Sequence, residues 1–102
     1  MTASIDPTTW VYVMIQNPGS QEQIVGQQDA ESGILFLPAF KDKNAALQGI
    51  AHLAKEKGQK YEIQAILFED LLKHAAEGRF LVFILDDEGR ITAKYEPGGQ
   101  PI

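Results

Sequence analysis

Two apolar blocks, Ile34-Leu35-Phe36-Leu37-Pro38-Ala39-Phe40 and Phe80-Leu81-Val82-Phe83-Ile84-Leu85, set the limits on what this chain can fold into. Each is strand-sized and rich in β-branched or aromatic side chains, and the segments between them carry helical spacing. The later block has no polar alternation, which predicts a strand covered on both faces and central in its sheet. Pro38 has no amide hydrogen for a ladder, so the earlier block must lose pairing near its end or lie at an edge.

The remaining elements fall into place around these blocks. Trp10 to Gln16 is aromatic and β-branched and stops at Asn17-Pro18-Gly19-Ser20, four turn residues. Glu22 to Gln28 is a weaker strand with Gly26 as a bulge, and the turn from Asp29 to Gly33 would complete a three-stranded meander. Asp42 or Asn44 can cap a helix that turns Leu47, Ile50, Ala51 and Ala54 inward and stops at Gly58. Tyr61 to Leu67 alternates over its first five residues, as a half-buried strand does. Phe68 to Glu77 reads as a second helix, with Leu71, Leu72, Ala75 and Ala76 on one stripe, Glu69 and Asp70 in its first turn, and Gly78 closing it. Asp86-Asp87-Glu88-Gly89 then turns the chain into Arg90 to Glu96, a hairpin. The order β-β-β-α-β-α-β-β predicts an α+β domain of two layers, a mixed and mostly antiparallel sheet of five to six strands with two helices. Residues 10–96 are expected to form that domain, between a flexible lead-in at 1–9 and a flexible tail at 97–102.

Composition narrows the function classes. A chain of 102 residues with 44% hydrophobic and 23% charged residues suits one ordinary globular core. Its net charge of −5 and scattered lysines argue against nucleic acid as a partner, because phosphate contacts need clustered cations. The absence of cysteine removes disulfides, thiolate nucleophiles and cysteine-based zinc sites, in keeping with a cytoplasmic location. The first residues lack a basic start and an apolar core, and no apolar run approaches the roughly 20 residues that cross a bilayer, so no membrane role is expected.

Residues capable of chemistry are present without a pattern that uses them. His52 and His74 have no partner at metal-ligand spacing, and Ser4, Ser20 and Ser32 lie in termini or turns without a nucleophile elbow. Asp86-Asp87-Glu88 is consecutive where a calcium loop alternates its ligands, and Gly98-Gly99 opens no helix that would cradle a phosphate. No catalytic, cofactor-binding or metal-binding residue is assigned, and no cofactor is expected.

The run Ile34 to Asp42, followed by a helix, Ile66-Leu67-Phe68-Glu69-Asp70-Leu71-Leu72 and the last apolar strand, resembles the amino-terminal domain of the bacterial SseB-like family. The likeness spans roughly residues 10 to 92 and departs at Leu85-Asp86-Asp87-Glu88-Gly89, where that family's pattern has an Asn-Pro-Gly turn. Trp10 through Asn17 is also similar to the opening strand of a second family of small bacterial domains of unknown function. These resemblances imply a fold and an accessory role, and no mechanism.

The expectation is therefore a non-enzymatic bacterial accessory or protein-interaction module, monomeric or weakly dimeric, whose partner is another protein. The contact surface expected from loops and strand exits comprises Asn17, Pro18, Gly19, Ser20, Pro38, Phe40 and Asp42. Two rivals remain open. One is a small-molecule binder or small enzyme with a site between sheet and helices, using His52 or His74 and a carboxylate; the other is a self-associating structural protein pairing through open edges such as Glu22 to Gln28.

Overall fold

Alternation in the strands decides the architecture. The computed structural model describes residues 5–102. Its strands are β1 (Trp10–Gln16), β2 (Gln23–Ile24), β3 (Gln27–Gln28), β4 (Leu35–Ala39), β5 (Tyr61–Leu67), β6 (Leu81–Leu85) and β7 (Ile91–Tyr95). Two helices, α1 (Lys43–Gly49) and α2 (Phe68–Gly78), lie between β4 and β6, and a 3-10 turn at Ile50–His52 extends α1. The fold is α+β, as its element order predicts. One sheet runs β2-β1-β5 and the other β3-β4-β6-β7; among the described residues only the β4–β6 pair is parallel.

Pro38 is the reason there are two sheets. Tyr12 and Phe40 exchange both backbone hydrogen bonds at 2.9 Å, which begins an antiparallel ladder between β1 and β4. The next hydrogen-bonded pair in that register would match residue 38 with Met14. Proline has no N–H to donate there, and the Met14 carbonyl instead accepts from Val25 N–H at 3.0 Å. The segment after the first turn fills the gap: β2 pairs with β1, and β3 pairs with β4. The expected meander strand from Glu22 to Gln28 is thus two short strands in different sheets, parted at Val25-Gly26, which raises the strand count to seven.

Each face of the combined sheet has its own core. Val11, Val13, Leu37, Ala39, Val82 and Ile84 point to one side and pack under Leu71 and Ala75 of α2. Phe36, Phe40, Phe83 and Leu85 point to the other and pack under Ala46 of α1. The helices therefore take one face each, so the sheet lies between them in three layers where two were expected, and β6 is covered on both sides as its unbroken apolar run requires. Phe36 and Phe83 stack with ring centroids 4.4 Å apart, and Lys94 Nζ lies 5.3 Å from the Phe83 centroid.

Two helix boundaries differ from the expectation. Asp42 caps α1, its carboxylate accepting from Ala45 N–H at 2.8 Å, but the helix ends at Gly49 and Gly58 sits in a separate turn. The buried face of α1 is Ala46 and Gly49, while Leu47 is 53% exposed. Gly49 permits this contact, since a Cβ there would stand 2.8 Å from Phe40 Cζ and 3.0 Å from the Asp86 carbonyl oxygen. At α2 the left-handed cap is Arg79, at φ 60°, rather than Gly78. Gly78 is reserved for the Phe80 ring, which packs across its Cα.

Residues 1–4 of the expected lead-in lie outside the described residues; the segments that flank the strands make backbone bonds of their own. Asp6 accepts from Thr8 N–H at 2.8 Å, and Thr9 O accepts from Phe68 N–H at 2.9 Å. Beyond β7 a turn at residues 97–100 brings Pro101 beside Tyr95, and Ile102 N–H donates to Lys94 O at 2.9 Å.

Candidate functional site

The residues expected to form one contact surface are separated by the fold. Asn17, at φ 55°, links the end of β1 to the approach of β5: its N–H donates to Lys60 O at 2.7 Å and its side-chain amide to Gln59 Oε1 at 2.8 Å. Gly19 N–H donates to Glu22 Oε2 at 3.0 Å, and Ser20 lies exposed beside it. Pro38 and Phe40 are buried in the interior, where no partner reaches them. Asp42 is occupied as a helix cap, next to Phe40 and hence at the Tyr12 level of β1. Five residue steps along the strand separate Tyr12 from Asn17, about 17 Å. The turn and the strand exit stand at opposite ends of β1.

Another concavity is better formed. On the α2 face, beside the helix, a groove of about 460 Å³ lies over the ends of β1 and β5. Val13, Ile15, Leu37 and Ile66 make an apolar floor, and Phe80 and Ile24 are among its other apolar residues. Phe80 is held by two glycines, since a Cβ on Gly26 would come within 2.7 Å of its ring. Glu22, Gln23, Gln64 and His74 supply the polar lining, and His74 is exposed. Glu22 is tied through Gly19 to the first turn, and Gln64 donates to Glu62 at 2.7 Å. The alternation of Tyr61 to Gln64 implies that β5 has two distinct faces, but the sequence alone does not indicate that α2 leaves one of them partly uncovered.

The two histidines do not converge. His74 belongs to α2 on one face, whereas His52 follows α1 on the other and packs against the β6–β7 turn at Gly89. Among the described residues no three histidine or acidic side chains gather as metal ligands would. The acidic turn is a structural device: Asp86 Oδ1 accepts from Glu88 N–H and Arg90 N–H, each at 2.9 Å. The Arg90 amide bond, aided by that of Glu88 and by the charges of Arg90 and His52, holds the Asp86 carboxyl below its ordinary range. Arg90 also pairs with Glu88. No helix of the described residues is long and apolar enough to cross a membrane.

The chain matches no protein-family model, no curated protein and no solved structure.

Proposed function

We propose that this protein is a cytoplasmic, non-enzymatic interaction module whose groove beside α2 receives an apolar segment of a second polypeptide. The observation that carries the reading is the groove itself, where an apolar floor is combined with a polar rim, the usual anatomy of a contact that anchors one or two side chains. Glu22 on the rim and the net charge of −5 favour a segment that places a basic residue beside its apolar anchor. The accessory role implied by the SseB-like resemblance is consistent with this reading, and we extend that kinship as part of the proposal.

Immobilised wild-type protein, His74→Trp and Leu47→Arg would be compared in capture from native lysate. Indole at position 74 fills the groove from an exposed site, whereas Leu47 lies on the other face. The proposal expects a polypeptide retained by wild type and Leu47→Arg and lost with His74→Trp. Equal capture by all three proteins contradicts it, as does no capture from a preparation that turns over a metabolite. A small-molecule ligand is the second reading, favoured by a volume within the range of about 300–1,000 Å³ typical of such sites and by His74 and Glu22 on the rim. A thermal-shift screen against metabolites separates it from the first.

A further inference from the structure

The two outer strands of the combined sheet differ in cover. At β7 the tail supplies a covering bridge between Tyr95 and Pro101, with Ile102 bonded to Lys94. At β5 nothing among the described residues covers the outer edge. The bonds continuing the β1–β5 ladder use even-numbered residues of that segment, Asn17 N–H to Lys60 O and Phe68 N–H to Thr9 O, so Tyr61, Ile63, Ala65 and Leu67 turn their amides outward. The strand also lacks the usual guards of an edge: it holds no lysine, proline or glycine, and its one charge is Glu62.

We infer that β5 pairs antiparallel with β5 of a second copy of this chain, around a two-fold axis through Gln64. In that register Tyr61 faces Leu67 of the second copy and Ile63 faces Ala65, so the outward-turned residues of each copy meet those of the other in hydrogen-bonded pairs. The apolar pairs share the α1 face, to which Ile63 already contributes. Glu62 falls opposite Ile66 of the second copy, which keeps like charges from facing each other. Lys60, just before the strand, comes opposite the first turn of α2 of the other copy, where Glu69 and Asp70 lie. The occupant is thus argued from a self-complementary register and from charge at both ends of it.

Gln64 lies on the axis in a non-hydrogen-bonded pair, where Cα atoms stand about 4.5 Å apart, within disulfide reach. The chain has no cysteine, so Gln64→Cys reports this register alone. Sedimentation of the wild-type chain across concentration should show mass rising from 11.3 kDa toward twice that value. Mild oxidation should cross-link Gln64→Cys at least tenfold faster than Ala30→Cys at an exposed loop site, and Ala65→Lys should shift the dimer midpoint to higher concentration. A wild type that stays monomeric to millimolar concentration overturns the inference. So does a dimer whose Gln64→Cys variant cross-links no faster than Ala30→Cys.

Discussion

Gly49 shows how one missing methyl group sets the position of a helix. Alanine has the higher helix propensity, by about 1 kcal/mol, and φ at this position is an ordinary −67°. Steric overlap decides the sign, because Phe40 is fully buried and has nowhere to move. Gly49→Ala is expected to lower stability by about 1–3 kcal/mol in urea unfolding. Gly98→Ala, with no atom near the added carbon, should change it by less than about 0.5 kcal/mol. Asp86 gives a prediction in pH. Its folded carboxyl titrates below the unfolded one, so its stabilising bonds to the Arg90 and Glu88 amides are present at neutral pH and lost as acid protonates it. The gap in urea midpoint between wild type and Asp86→Ala should be widest near pH 7 and narrow steadily below pH 4. A gap that does not change with pH would show that the carboxylate charge contributes nothing.

Element by element, legibility in the sequence follows how many faces a segment buries. β6, apolar throughout and covered twice, and β1, with its firm stop at Asn17, were visible because burial and turn chemistry agree there. The stretch from Glu22 to Gln28 is not legible as two strands because its pairing is dictated by a residue ten positions beyond it, Pro38, through a carbonyl on another strand. For α1 the sequence offers Asp42 or Asn44 as cap and the structure uses Asp42, while the buried side is Ala46 and Gly49 rather than Leu47, because Leu47 has the stronger hydrophobicity and Gly49 the closer fit. The groove is not legible in the sequence, because its floor unites β1, β4 and β5 and its rim draws on Glu22 and Gln23 after the first turn, on β5 and on α2. Two substitutions check α1. Asp42→Ala should cost about 1 kcal/mol by removing the cap, whereas Leu47→Gln should stay within about 0.5 kcal/mol of wild type. A large loss at Leu47 would place the buried stripe where its hydrophobicity suggests.

For the whole molecule, interaction is concentrated where the two sheets and α2 fail to close over one another. The α1 face carries stacked aromatics, the tail covers the last residues of the β7 edge, and the α2 face keeps an open groove. Isoleucines sample these regions separately. Ile15, Ile24 and Ile66 line the groove, whereas Ile91 and Ile102 are exposed at or beyond β7 and Ile34 is exposed just before β4. The most direct measurement is therefore a methyl NMR titration of isoleucine-labelled protein with the polypeptide that wild type retains. The expected result is movement of the Ile15, Ile24 and Ile66 δ1 methyl signals, with Ile34, Ile91 and Ile102 stationary. Shifts confined to the latter three, with the groove methyls unmoved, would contradict a groove-centred function.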